Sequence, residues 1–218
     1  MARTLLAEEY KKVYAESIGS FEIQQVHRNA LQYLNPTSGE KILDVGCGRG
    51  ELVLLLQEAG SEAVGLDYLP EAIQLAQQNV PKAEFLTGDV TALPFPSQRF
   101  YKITALGVLS YLSELDLEKA FSEFSRVLKP GGMLLIRTTQ PLNRVGTWIL
   151  RLVRPGYRSK SNYCTKRFLT AALIKQGFTV NQIWTSLDEK PQIPTLKRAL
   201  LKLLHPFFAS MWIKATKQ

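Results

Sequence analysis

Short apolar runs recur along the chain at intervals that helical patterns fill. Runs at 42–45, 63–66, 84–87, 101–109 and 133–136 are a few residues long and bounded by turn residues, so each reads as a strand. Behind the first run, Leu52, Leu55, Leu56 and Ala59 recur at helical spacing. Residues 70–79 read as a second helix. Residues 116–128 read as a third, with Leu117, Ala120, Phe121, Phe124 and Leu128 on its inner face. Upstream, residues 4–34 carry Tyr10, Val13, Tyr14, Ile23, Val26, Ala30, Leu31 and Leu34 at helical spacings. Gly19 parts two helices there, and 35–39 is a turn. Downstream, 166–176 reads as a helix, 177–180 with Ile183 and Trp184 as a sixth strand, and 211–215 as a seventh. Strand and helix in alternation predict an α/β fold around a parallel sheet.

The most informative stretch is Lys41-Ile42-Leu43-Asp44-Val45-Gly46-Cys47-Gly48-Arg49-Gly50. An apolar strand runs into three glycines at alternate positions, and a helix follows. Glycine admits positive φ and carries no side chain to hold a ligand off the backbone. A strand, a glycine turn and a helix N-terminus together suit a nucleotide-like ligand at the carboxyl edge of a sheet. The dinucleotide fingerprint needs a third glycine at position 51, which is Glu51. Asp44 is poorly placed for a pyrophosphate and suits a ligand carrying an ammonium and a sulfonium.

The pattern Asp-x-Gly-x-Gly-x-Gly at 44–50 resembles motif I of the class I S-adenosylmethionine-dependent methyltransferases. Three more landmarks follow in order. Asp67 ends the second strand about 20 residues past the turn, where an acid accepts both ribose hydroxyls in a fork; it also stands where it could cap the 70–79 helix. Gly88-Asp89-Val90 opens Gly-Asp-Val-x-x-Leu-Pro-Phe, which resembles the family stretch that reads adenine. Leu128-Lys129-Pro130-Gly131-Gly132 resembles the turn before the family's fifth strand. The resemblance covers about 42–137.

It implies a Rossmann-like, doubly wound, seven-stranded sheet, mostly parallel with an antiparallel last strand, and one domain over 1–218. Within that domain, 1–34 would be a helical cover, 35–184 the cofactor-binding core and 211–217 the last strand. Segments 140–165 and 186–210 would be insertions on the acceptor side. The implied cofactor is S-adenosylmethionine, leaving as S-adenosylhomocysteine. Asp44, Gly46, Cys47, Gly48 and Gly50 would cradle its methionine side. Asp67 would hold ribose with Tyr68 beside it, and Asp89 and Val90 would read adenine between Leu93, Pro94 and Phe95. Leu106 completes the set. His27 and Arg28 either reach the cofactor carboxylate or form a surface pair. Where relatives read Phe-Asp before the fourth strand, this chain has Phe100-Tyr101, a structural departure.

Charge adds a second picture. Of a net +8, residues 1–143 contribute 13 Lys/Arg against 17 Asp/Glu, whereas 144–218 contribute 14 against 2. That basic third is a solvated surface or meets an anionic partner. Its mixture of apolar and basic residues, including the amphipathic stretch at 196–204, fits a lipid-like small molecule or a membrane surface. RNA is the alternative partner. Two cysteines at distant positions offer neither a metal spacing nor a disulfide framework. No signal peptide or spanning run is evident, so a cytoplasmic or membrane-peripheral setting is expected. The metal-binding Glu-x-x-Glu-His cluster of the ubiquinone-pathway O-methyltransferases is absent; Gly107, Ser110 and Tyr111 stand at those positions. No metal and no catalytic base is assigned. The expected function is methyl transfer to oxygen or carbon of a small apolar acceptor. The alternatives are an RNA methyltransferase or a non-catalytic cofactor-binding subunit. Oligomeric state is not legible.

Overall fold

A computed structural model describes residues 21–139, 165–185 and 210–218. The helix expected before residue 21 and all but the last residue of each of the insertions at 140–165 and 186–210 lie outside the described residues, Tyr10 and Tyr14 with them. The described elements run in the order α1 (Phe21–Leu34), β1 (Lys41–Val45), α2 (Glu51–Glu58), β2 (Glu62–Asp67), α3 (Pro70–Asn79), β3 (Glu84–Thr87), β4 (Phe100–Leu106), α4 (Glu114–Val127), β5 (Leu128–Thr139), α5 (Lys166–Lys175), β6 (Phe178–Thr185) and β7 (Ser210–Lys217).

The strands form one seven-stranded sheet in the order β3-β2-β1-β4-β5-β7-β6. The first five pair in parallel. β7 is antiparallel to both β5 and β6, so β6 runs with the parallel set. β5 and β6 therefore both end at the carboxyl edge, at Thr139 and Thr185, and β7 starts there, with Ser210 paired to Thr139.

Alternation along the strands sorts side chains onto two faces. Leu43, Val45, Val64, Leu66, Ile103, Ala105, Leu134 and Ile136 face α4 and α5, where Leu117, Phe121, Phe124, Leu169 and Leu173 close one core. Ile42, Ala63, Leu135 and Trp212 face α1, α2 and α3 and build the other core with Ala30, Leu34, Leu52, Leu56, Ile73 and Ala76. By the same alternation Asp44, Asp67, Thr104, Leu106 and Arg137 belong to the second face, near its carboxyl edge. That placement decides the site.

Three expected boundaries shift for physical reasons. β4 stops at Leu106 because Gly107 takes φ +85° and leads into a 3-10 turn, Val108–Tyr111. α4 begins two residues early because the Ser113 hydroxyl accepts from the Asp116 amide and caps it. The Leu128–Gly132 turn lies inside β5: Phe100 pairs with Leu128 and Lys102 with Met133, which leaves a bulge opposite Tyr101. Lys129 lies over the Tyr101 ring at 3.7 Å, a cation-π contact beside the bulge. Among the described residues, no helix is long and apolar enough to cross a membrane.

Candidate cofactor site

The glycine turn is held to the end of β2 by its own backbone. The amides of Gly46 and Cys47 donate to the Leu66 carbonyl at 2.7 and 3.1 Å, and the Gly50 amide donates to the Cys47 carbonyl at 2.9 Å. Gly46, Gly48 and Gly50 all have positive φ, at +73°, +54° and +81°. Space is also denied to any side chain: a Cβ on Gly46 would lie 2.9 Å from Val108 Cβ, and one on Gly50 would lie 2.8 Å from Phe85 Cζ. The turn thus presents bare backbone at the N-terminus of α2. Cys47 turns its side chain into the α1–α3 core, and burial pushes its thiol above the ordinary range. What Cys47 offers to a ligand is backbone.

Two buried carboxylates stand beneath this turn. Asp44 is 4% exposed and accepts a 2.6 Å hydrogen bond from the Thr104 hydroxyl of β4, its partner in register. Its opposite neighbour on β2 is Gly65, which brings no side chain. A Cβ at Gly65 would lie 2.5 Å from Phe85 Cδ1 and 2.8 Å from Cys47 Sγ, so the gap is already closed. Burial raises the Asp44 carboxyl from 3.8 to about 7; the Thr104 bond pulls it down, and Asp67 and Glu51 push it up.

Asp67, also 4% exposed, accepts from the Gly48 amide at 2.9 Å and from the Leu69 amide at 3.0 Å. Burial raises its carboxyl above the ordinary value against the pull of the Leu69, Gly48 and Tyr68 amides. It does not cap α3, whose N-cap is Leu69 with no side-chain bond. Instead it ties the glycine turn to the end of β2. Tyr68 follows it at 52% exposure, open to the carboxyl edge.

The third landmark folds as a braced loop. Asp89 accepts from both the amide and the hydroxyl of Thr91, at 2.9 and 2.8 Å, and Val90 is buried. Glu123 on α4 accepts from the Leu93 amide at 2.7 Å. Arg126 bonds Glu123 through two nitrogens and donates to the carbonyls of Phe95 and Leu93 at 2.7 and 3.0 Å. The Arg126 bonds hold Glu123 below the usual carboxylate range. Of the wall expected from Leu93, Pro94 and Phe95, only Pro94 is exposed. Leu93 and Phe95 are buried in the α4-side core, where the Phe95 ring meets Phe100 edge-on at 5.0 Å.

Leu106 ends β4 half-buried, paired with Arg137 of β5, and the Gly107 amide donates to the Arg137 carbonyl at 2.8 Å. His27 and Arg28 do not form a surface pair: Arg28 is exposed, but His27 is half-buried. Burial lowers the His27 imidazole below its ordinary value; Glu51 opposes that and Arg137 adds to it. The structure therefore gathers Asp44, Gly46, Gly48, Gly50, Asp67, Tyr68 and Leu106 at one edge, with the Asp89–Val90 loop beyond β2. It adds residues that sequence alone did not single out, namely Thr104, Val108, Glu123, Arg126 and Arg137. A Glu-x-x-Arg pair on a helix was visible as a surface ion pair, but nothing local connects it to residues 30 positions away.

Residues 42–132 match the family model described as a methyltransferase domain. An uncharacterized methyltransferase of Synechocystis is 32% identical over 126 residues, 58% of each chain. A demethylmenaquinone methyltransferase of Thermus thermophilus is 36% identical over 121 residues, 52% of this chain and 54% of that one. The chain thus spans a little over half the length of these relatives. Among solved structures, a geranyl diphosphate methyltransferase in complex with S-adenosylmethionine superimposes with a TM-score of 0.71 at 17% identity, covering 89% of this chain and 85% of that one. Over residues 42–132 the chain is thus similar to methyltransferase domains, and its fold is that of a solved S-adenosylmethionine-dependent methyltransferase.

Proposed function

We infer that the protein transfers a methyl group from S-adenosylmethionine to a small apolar acceptor, at oxygen or carbon. The observation that carries this reading is the pair of buried acids, Asp44 and Asp67, under a turn of three positive-φ glycines, two of which, Gly46 and Gly50, have no room for a Cβ. That cradle fits a ligand with a cationic amino-acid end and a ribose. Asp44, with the backbone of Gly46, Cys47, Gly48 and Gly50, would hold the methionine side. Asp67 has four lone-pair sites and accepts from the backbone amides of Gly48, Leu69 and Tyr68, which leaves room for a ribose hydroxyl, with Tyr68 beside it. Asp89 and the Val90 amide would read adenine from a loop that Arg126 and Glu123 keep rigid.

The bound cofactor supplies an activated methyl carbon. The chain's own task is to hold the acceptor atom in line with that carbon and to exclude water. Such positioning is worth several kcal/mol of barrier lowering, up to about 7–11 in the best-oriented systems. Leu106 and the Gly107–Tyr111 turn stand at the carboxyl end of β4 and would contact the reacting end. The segments 140–165 and 186–210 leave and return at this same edge, so they would shape the acceptor pocket. Demethylmenaquinone and geranyl diphosphate, the acceptors in the names of two relatives, are both prenyl compounds, which supports an apolar acceptor. The basic composition of residues 144–218 supports an anionic group on it, or an anionic membrane surface nearby.

The test is calorimetric titration of S-adenosylmethionine and S-adenosylhomocysteine into wild type and Asp67→Ala, with NAD as control, followed by an acceptor screen that starts with prenyl quinones. Saturable binding that weakens in Asp67→Ala, with turnover by the purified chain, is expected. Binding without turnover on any acceptor would favour a cofactor-binding subunit. Steeply salt-dependent binding of tRNA with methylation of it would favour the RNA reading.

A further inference from the structure

The proposed cofactor site holds an imbalance of charge that the cofactor reading by itself does not use. Asp44 is enclosed, and the charged groups that act on it, Asp67 of β2 and Glu51 of α2, are both acids. From β4 it accepts from the neutral Thr104 hydroxyl, and the Cys47 thiol of the turn, on which Asp44 acts, is kept protonated by burial. Among the described residues, burial keeps His27 of α1 toward its neutral form, with Arg137 of β5 adding to that effect, and the groups that act on Asp44 are the two acids and Thr104. A buried carboxylate facing two others cannot stay charged cheaply unless a cation arrives.

We propose that in the free protein this acidic cluster keeps a proton on Asp44, and that the cationic cofactor displaces it, so that cofactor binding and proton release are one event. This rests on the cofactor assignment above. An ammonium brought within about 4–6 Å of a carboxylate lowers its pKa by about 1–3. Asp44, held at about 7 in the free chain, is then ionised in the complex. With a lowering of about two or more, about half a proton leaves at pH 7 and about 0.8–0.9 at pH 6, and affinity falls roughly tenfold between pH 8 and pH 6. The site is thereby tuned to fill as pH rises through neutrality.

The experiment is titration of S-adenosylmethionine into the full chain at pH 6 and 7, each in phosphate and in an amine buffer of large ionisation heat. Both pH values lie below the range of an α-amino group, about 7.7–8.0, so uptake by the ligand's own amine offsets the release by less than about 0.2 proton at pH 7 and negligibly at pH 6. The difference in heat between buffers gives the protons released. Release of about half a proton at pH 7, rising toward one at pH 6 and vanishing in Asp44→Asn, is expected. Thr104→Val removes the bond that favours the charged form, so it should move the pH 7 value toward one. That variant reads the linkage even where Asp44→Asn binds too weakly to measure. Binding with heats independent of buffer, or undiminished release in Asp44→Asn, overturns the proposal while leaving the cofactor assignment intact. No binding of S-adenosylmethionine at either pH overturns both.

Discussion

Replacing Asp44 by Asn should make the protein without cofactor more stable at high pH while weakening its site. The side chain keeps its shape and its acceptor for the Thr104 hydroxyl but cannot ionise. In the folded wild type the carboxyl is raised from 3.8 to about 7. Between those values the folded chain holds a proton that the unfolded chain has lost. Stability therefore falls as pH rises from about 4 to about 7 and levels off above. At about 1.4 kcal/mol per pH unit the loss reaches about 4 kcal/mol. A chain of this size gains about 2–4 °C in Tm for each kcal/mol. Asp44→Asn should then melt at least about 8 °C above wild type at pH 8, with only about a quarter of that gap at pH 4.5. Thermal unfolding followed by circular dichroism, without cofactor, reads this directly. Asp67 is present in both proteins, so the difference between them reports position 44 together with its coupling to Asp67. Equal melting at both pH values, or a variant that loses ground as pH rises, would refute the idea that burial strains an ionised Asp44.

Further tests follow from the same geometry. Gly46→Ala meets both a positive φ and a Cβ contact at 2.9 Å with Val108, so it should cost about 2–4 kcal/mol and abolish saturable cofactor binding in calorimetry. Asp67→Asn keeps one acceptor oxygen but loses the charged fork; cofactor affinity should fall about tenfold or more, with a smaller loss for a ligand lacking ribose hydroxyls. Glu123→Gln weakens the clamp on Arg126 and the Leu93 amide. It should raise hydrogen exchange at residues 89–95 and lower affinity for adenosine-bearing ligands, leaving the Asp44 proton linkage unchanged. Cys47, buried and protonated, should resist alkylation in the folded chain at pH 8 and react after denaturation, as measured by mass spectrometry.

The sequence by itself determined what depends on neighbours along the chain. Short apolar runs bounded by turn residues located β1 to β3, and the bounds of α3 and β3 fall where the pattern puts them. Alternate glycines after Val45 announced a turn in positive φ, because few other residues adopt it. Asp44 and Asp67 were legible as candidates for the same reason: each sits at a fixed offset from a local landmark. Tertiary structure decided what those residues face. Asp44 finds Thr104, sixty positions away, because β1 pairs with β4 and both side chains share a face. Asp67 turned out to brace Gly48 and not to cap α3, since β2 ends beside the turn. Leu93 and Phe95 face the core because Arg126 and Glu123 pull their loop onto α4. The reversal of β7 brings the ends of β5 and β6 to one edge, which no local pattern records. Local preference is written in spacing along the chain, whereas partners across a sheet are chosen by register and by which face must be buried.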